Sequence, residues 1–305
     1  KRTKLLGDEA YRAFINAGIK KADAEAWAGK IASTYGAVKK EKPRENETLA
    51  HMSPEEIACH EKLIQTLIAE KREPTKEELD GLVHIQHAVD IAMFGRMLAH
   101  KPEFNTEAAI QVAHSIGVHA SAIEDDYFTA VDDINQERLE RRQQGEKAFE
   151  DEDGSSKDGD SGAGHVGEAG FAAAVFYQYL CINRDQLLKN LGGNEDLLKR
   201  ALTALVEAVL TVGPSGKQNS FASRAYVHYA LAETGSQQPR SLSLAFLKPI
   251  DDKQTGYGEA AIKALQTLRD NMDKVYGQCA EASAELNVFA ASGSKQAVLD
   301  LVAGA

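Results

Sequence analysis

From Ile110 to Ala120 the chain reads Ile-Gln-Val-Ala-His-Ser-Ile-Gly-Val-His-Ala, and this stretch decides the fold class. Apolar side chains alternate with small or polar ones, which is the two-residue period of a strand with one buried face. Further strands are predicted at 89–93, 171–182 and 225–232. Helices are predicted between them at 183–191 and 195–210, and later at 259–276 and near the C-terminus. Strands that alternate with helices in this way indicate an α+β sheet domain.

The part of the chain before this domain has helical periodicity. Ala24, Trp27, Ala28, Ile31 and Tyr35 recur at the spacing of one helix face. These residues predict a helical subdomain with polar connectors.

Two start signals and one charged connector organise this subdomain. In Ser53-Pro54-Glu55-Glu56 the serine can cap a helix and Glu56 can complete a capping box. Pro74-Thr75-Lys76-Glu77-Glu78 repeats the signal, and Lys39–Glu47 is predicted to be a charged loop.

Composition leaves the class of partner open. The chain has 305 residues, 43% of them apolar, and a formal charge of −11, which by itself argues against binding phosphates. The stretch Asp133–Asp160 carries ten acids and five bases, so it accounts for −5 of that charge. A basic groove elsewhere is therefore compatible with the composition. Residues 136–164 are nearly free of apolar side chains and are predicted to form a long, mostly disordered loop.

The expected compartment is the cytoplasm. No run approaches the roughly 20 apolar residues that span a bilayer, and no secretory leader is recognisable. Cys59, Cys181 and Cys279 form no CxxC pair, so they are interpreted as small buried hydrophobes in a reducing environment.

The segment Val212–Asn219 superficially resembles a phosphate-binding loop of nucleotide hydrolases. Only two residues separate its glycines, Gln218 follows Lys217, and the segment follows a predicted helix rather than a strand. These departures exclude a P-loop. A glycine-rich turn with a lysine and two amides can still bind a nucleic-acid phosphate, although an ordinary polar turn explains the local sequence equally simply.

The remaining polar clusters give weak signals for chemistry. His84 and His87, and His114 and His119, lack the companion ligands of a zinc site, so no metal is expected. Glu124–Asp126 and Asp132-Asp133 are the only candidates for a metal-dependent nuclease. By itself the pair Tyr127-Phe128 is more typical of core residues than of base-stacking ones.

Several stretches, in order along the chain, resemble the CasC family, the backbone subunit of type I-E CRISPR Cascade. The resemblance extends from residue 1 to about residue 280. The stretches that carry it are Ala88–Ala99, Ala113–Ile116, Asp126–Asp133, Gly164–Glu168 leading into Phe176-Tyr177, Asn190–Gly193, Gly213–Arg224 and Gln237–Leu242.

The resemblance implies a hand-like fold. It predicts an RNA-recognition-motif-like (ferredoxin-like) palm over 88–305, with a helical finger insertion over 1–87. A thumb is implied over 119–173, with the acidic loop 136–164 inside it. Family members begin with a further strand and a Ser-Ser-Gln segment upstream of the residues that match Lys1, so the palm is expected to lack its first strand.

The resemblance also implies a function without catalysis, cofactor or metal. Copies of the chain polymerise along a CRISPR guide RNA and support RNA-guided binding of target DNA in antiviral defence. Other copies, other Cascade subunits and an indirectly recruited effector nuclease are the implied partners, and no membrane is involved.

The implied guide-RNA contacts are specific residues. Met97 and Phe128 match the positions that flank a displaced base, and this resemblance favours stacking over core for Phe128. Arg224 and Arg240 are the weakest candidates, since a structural salt bridge explains an arginine equally well. The phosphate or ribose contacts are Arg96, Lys217, Gln218, Asn219, Arg224 and Arg240. The alternatives are a metal-dependent nuclease and an interaction protein that binds no nucleic acid.

Overall fold

A computed structural model of the protein has a mixed α+β architecture. The structure describes residues 1–82, 88–98, 102, 105–131, 163–251 and 256–304. The helices are α1 (Leu6–Asn16), α2 (Lys21–Thr34), α3 (Pro54–Glu70), α4 (Lys76–Asp80), α5 (Val89–Phe94), α6 (Arg184–Asn190), α7 (Glu195–Thr211), α8 (Gln218–Phe221), α9 (Tyr257–Tyr276) and α10 (Lys295–Ala303). The strands are β1 (Arg2–Thr3), β2 (Val38–Lys39), β3 (Lys42–Asn46), β4 (Ala50–His51), β5 (Ile110–Val112), β6 (Ile116–Gly117), β7 (Glu124–Val131), β8 (Ala163–Phe171), β9 (Phe176–Tyr177), β10 (Leu180–Ile182), β11 (Tyr229–Thr234), β12 (Ala282–Asn287) and β13 (Ser292–Gly293).

The sheets are small. Within the described residues, β11, β12 and β13 form a three-stranded antiparallel sheet, and the other strands pair two by two as β1 with β4, β2 with β3, β5 with β10, β6 with β9 and β7 with β8. The chain divides into two compact units. The first comprises Lys1–His114, Gln178–Ser241 and Arg269–Ala305, and the second comprises Ser115–Tyr177 and Leu242–Leu268.

The first unit contains two hydrophobic cores. One is built by the N-terminal helices, where Phe14 and Trp27 meet edge to face with ring centroids 5.5 Å apart. The other lies between α5, α6 and α7, around Met93, Leu187 and Leu202. Both follow from apolar residues at helical spacing, so the predicted helical face of Trp27 is confirmed.

The predicted helix ends are confirmed where a capping residue defines them. Ser53 and Glu56 form a reciprocal capping box at α3, and Thr75 and Glu78 form one at α4. Asn183 accepts from the Gln186 amide at the start of α6, which ends before Gly192 and Gly193, both with positive φ. The predicted helices at 195–210, 259–276 and the C-terminus are α7, α9 and α10.

Several predicted strands and loops are wrong. The alternation at 89–93 belongs to helix α5, because tertiary packing buries the consecutive residues Ile91, Ala92 and Met93. The charged loop Lys39–Glu47 forms the β2–β3 hairpin, in which buried Asn46 donates to the Ala32 carbonyl at 2.8 Å. The six residues of α5 are too few for the hydrophobic period to distinguish a helix from a strand.

Other predicted strands are divided or shifted. The single strand at 110–120 is two short ones, β5 and β6, and 171–182 holds the end of β8 followed by β9 and β10. The strand at 225–232 is β11, at Tyr229–Thr234. Of the predicted acidic loop 136–164, residues 163 and 164 begin β8, and residues 136–162 lie outside the described part of the chain.

The second unit centres on the long β7–β8 hairpin. Its base is held by His119, whose Nδ1 donates to the Ala120 carbonyl at 2.7 Å while Nε2 accepts from the Val175 amide at 3.1 Å. The His119 ring stacks on Tyr257 with centroids 4.1 Å apart. Buried Val118 follows β6 and accepts from the Ile250 amide at 2.8 Å. These contacts fix the base from which the hairpin extends.

Candidate nucleic-acid interface

Met97 is held rigidly at the surface by its two neighbours. The Arg96 backbone pairs with Thr106 through two hydrogen bonds of 3.0 and 2.9 Å, and the Leu98 amide donates to Asn105 Oδ1 at 2.6 Å. Gly95 has φ of +77°, and a Cβ there would lie 2.8 Å from the Thr106 carbonyl oxygen, so only glycine fits. Met97 itself is 79% exposed. The backbone therefore presents its thioether to solvent at a fixed position.

Met97 and Arg96 border a surface pocket of the first unit. The pocket volume is about 360 Å³, and His51 Nε2 lies 2.9 Å from Asp90 Oδ2 at its wall. The lining residues are Arg2, Leu49, His51, Asp90, Phe94, Gly95, Arg96 and Met97.

Arg96 does not face solvent as a phosphate contact would. Its side chain is 2% exposed, and Nη1 donates to both Glu56 oxygens at 2.8 and 2.7 Å and to the His51 carbonyl at 3.1 Å. The same carboxylate accepts from the Ser53 amide at the start of α3. Arg96 therefore joins the α5 segment to the α3 N-terminus, which corrects its interpretation as an exposed phosphate contact.

Arg240 is also an internal residue. Its Nη2 lies 2.6 Å from Asp273 Oδ1 and 3.9 Å from Glu233, which also pairs with Arg269. The Arg240 guanidinium holds the pKa of Asp273 below its usual range. Of the two readings that its sequence left open, the structural salt bridge is the one observed.

In the loop after α7, three of the predicted RNA-contact residues are exposed, and the fourth forms hydrogen bonds within the loop. Gln218 donates its amide to the carbonyls of Pro214 and Ser223, the latter at 2.9 Å, so it closes the loop on itself. Lys217, Asn219 and Arg224 are exposed. The loop follows helix α7, as predicted, whereas a P-loop follows a strand.

The β7–β8 hairpin presents two aromatic rings. Phe128 pairs with Gly167 and is 48% exposed, and its Cζ would lie 2.4 Å from a Cβ built on Gly167. The ring therefore lies directly over the glycine of the neighbouring strand. Tyr127, on the opposite face, is also exposed, so the core interpretation is wrong for Tyr127.

The described residues show no arrangement suited to metal chemistry. No group of three or more His, Cys, Asp or Glu side chains converges within the ranges that the structure describes. Glu124 and Asp126 share one face of β7 and Asp125 lies on the other. Asp132 and Asp133, on which the nuclease alternative depends, lie outside the described residues, as do His84 and His87.

The cysteines and the helices bear on two further predictions from the sequence. No disulfide joins Cys59, Cys181 and Cys279, and each is partly exposed rather than fully buried. Among the helices of the described residues, none is both long and apolar enough to cross a membrane.

Small antiparallel sheets packed with helices define a mixed α+β protein. Its second unit carries a hairpin with exposed aromatic rings, and its first unit carries a loop with exposed cations. The chain matches the model of the CT1975-like protein family over residues 1–145 and 148–301. The chain therefore belongs to the CT1975-like protein family. A comparison with curated proteins finds no match.

Solved structures add two relatives in fold. One is a chain of a "CRISPR RNA-guided surveillance complex, pre-nicking", with a TM-score of 0.70, 23% identity, and coverage of 93% of this chain and 75% of that chain. Another is a chain of a "CRISPR RNA-guided surveillance complex", with a TM-score of 0.54, 27% identity, and coverage of 71% of this chain and 77% of that chain. The first likeness establishes the fold.

Proposed function

We propose that this protein is the guide-RNA-binding backbone subunit of a Cascade-type surveillance complex, of the type I-E CasC kind. The observation that carries the proposal is the likeness to a 27% identical chain of a CRISPR RNA-guided surveillance complex, together with membership of the CT1975-like family. Copies of the chain would polymerise along a CRISPR guide RNA, and the particle would bind target DNA in antiviral defence.

The exposed residues support binding to the backbone and the bases of a single strand. Met97 and Phe128 provide apolar surfaces against which a displaced base can rest. Lys217, Asn219 and Arg224 provide donors for phosphate and ribose oxygens. Arg96, Gln218 and Arg240 serve the fold, so we omit them from the proposed direct contacts.

We further propose that the small sheets belong to an RNA-recognition-type palm. The N-terminal helical core over 1–87 would form the fingers, and 119–173 would form the thumb that ends in the acidic segment. In such an assembly base pairing reads the target sequence, and the protein recognises backbone and shape. The other partners would be further Cascade subunits and an effector nuclease recruited indirectly.

In this proposal the chain is a cytoplasmic scaffold and not an enzyme. Guide RNA would be held rather than cleaved, so no catalytic group, cofactor or metal is required. Substitution of Asp132 and Asp133 by Asn should therefore leave the integrity of bound RNA unchanged, whereas the nuclease alternative requires that cleavage be lost.

The test is to purify the full-length protein co-expressed with its genomic neighbours and to sequence the RNA that copurifies. Repeat-derived RNA of uniform length, in a particle that contains several copies of the chain, is the expected result. A monomer free of RNA with all neighbours present would contradict the proposal and favour an interaction protein that binds no nucleic acid.

A further inference from the structure

Aromatic side chains project into solvent at one end of the β11–β12 pair. Tyr226 is 71% exposed and Phe289 is 51% exposed. The Val288 amide donates to the His228 carbonyl at 2.9 Å, which extends the pairing one step beyond Tyr229 and Asn287. The His228 and Phe289 rings meet edge to face with centroids 5.2 Å apart. Phe289 is thus oriented by a neighbouring ring while half of its surface remains available.

This end of the sheet adjoins the loop that carries Lys217 and Arg224. The Val227 amide donates to the Leu210 carbonyl at 3.0 Å, which ties the segment before β11 to the end of α7. A Cβ on Gly213 would lie 3.1 Å from the Ser223 carbonyl oxygen, so the two arms of the loop are in close contact. The loop therefore closes on itself and delivers Arg224 and Tyr226 from its second arm.

The charge of this region differs from that of the whole protein. Residues 208–232 contain Lys217 and Arg224 but no Asp or Glu, although the chain holds 46 acids and has a net charge of −11. The hairpin tip at 288–293 is uncharged as well. A protein partner with a purely apolar surface would bury these cations without a counter-charge, whereas a nucleic-acid strand supplies phosphates.

We infer that Tyr226 and Phe289 form a base-stacking surface for single-stranded RNA, with Lys217 and Arg224 on the adjacent phosphates. The inference rests on the proposed function and adds residues that no motif of the sequence indicated. Exposed aromatic rings on which bases can stack, beside a positively charged loop, are the arrangement with which proteins hold single strands without reading their sequence. Such a surface suits a scaffold that must accept any guide.

The test uses the assembled particle with guide RNA that carries 4-thiouridine. Ultraviolet crosslinking of the unaltered protein should yield RNA-linked peptides that contain Tyr226 or Phe289. In parallel, Tyr226→Ala and Phe289→Ala should each weaken RNA binding by roughly tenfold, which is within the range of one lost base–aromatic stack. Tyr226→Phe should retain affinity because the ring remains. Tyr276→Ala is the matched control, since that tyrosine is 81% exposed but follows the acids of α9.

Failure of this inference can be distinguished from failure of the proposed function. Crosslinks confined to other peptides, with unchanged affinity in both alanine variants, would overturn the inference and leave the guide-RNA proposal intact. Unchanged affinity for a short RNA that holds one copy, with fewer copies per particle, would instead assign the rings to a contact between copies. If the unaltered protein binds no RNA, the proposed function itself fails. Because crosslinking uses the unaltered protein, an alanine variant that fails to fold does not decide the result.

Discussion

The ring of Phe128 lies on the backbone of Gly167 in the paired strand, so close that a methyl group there would be 2.4 Å from Cζ. The absence of a side chain at Gly167 is what allows the end of the ring to approach the paired strand so closely. An aromatic ring that covers a cross-strand glycine stabilises a pair whose glycine would otherwise weaken it. The same contact fixes the orientation of the ring that we propose for base stacking.

Gly167→Ala should therefore displace the ring of Phe128 although residue 128 itself remains a phenylalanine. The new Cβ must displace the ring, so we expect the variant to weaken RNA binding about as much as Phe128→Ala, roughly tenfold for one stacked base. Binding of a guide-length RNA measures the effect. Gly170→Ala is the control in the same strand, because its Cβ would approach Ile123 and Asp125 side chains only to 3.2 and 3.4 Å. Equal affinities for the two variants would contradict the role of the Phe128–Gly167 contact.

The buried pair of Arg96 and Glu56 makes a prediction about stability. Arg96→Met leaves the Glu56 carboxylate buried without its cation, which typically costs about 3–5 kcal/mol of unfolding free energy. Urea unfolding measures the change. The surface pair of Arg72 and Glu78 provides the comparison, since solvent screens this exposed ion pair and Arg72→Met should therefore cost much less than Arg96→Met. A small effect at Arg96 would indicate that the guanidinium is not structural.

The capping box of α4 predicts a pH dependence. Bonds from Arg72 and from the Thr75 amide lower the pKa of Glu78 to about 2. Because the folded pKa lies below the unfolded value, this stabilisation is present above about pH 4.5 and is lost as the pH falls toward 2. Glu78→Gln should therefore be less stable than the unaltered protein by about 1 kcal/mol at pH 6, and the difference should shrink at pH 2 to 3. A difference independent of pH would exclude the carboxylate as its source.

Salt dependence distinguishes an exposed cation that contacts a phosphate from an exposed cation that does not. If Lys217 contacts one phosphate, Lys217→Gln should reduce the slope of log affinity against log salt concentration by about 0.7, the value for a single strand. Lys274→Gln changes the charge equally on an exposed turn of α9 and should leave the slope unchanged. Binding titrations at several salt concentrations measure both. An equal loss of slope would mean that overall charge, and not a specific contact, attracts the RNA.

Local signals predicted those elements whose ends are defined within a few residues of sequence. Ser53 with Glu56, Thr75 with Glu78, and Asn183 each cap a helix where expected, because a cap is a hydrogen bond between near neighbours. The helical face of Trp27 was equally predictable, since its period extends over three turns. Lys217 and Asn219 were identified from the loop composition and Arg224 from the family resemblance, and all three are exposed.

The sequence by itself thus determined the α+β class, the capped helices and the lysine-bearing loop, because these depend on contacts between residues close in the chain. Only the tertiary structure decided that Val89–Phe94 is a helix, that Arg96 is buried against Glu56, and that Phe128 rests on Gly167. Each of these depends on a partner about 40 residues away or on packing around the segment. No local period encodes such a partner, so identical residue types can become either surface contacts or internal supports.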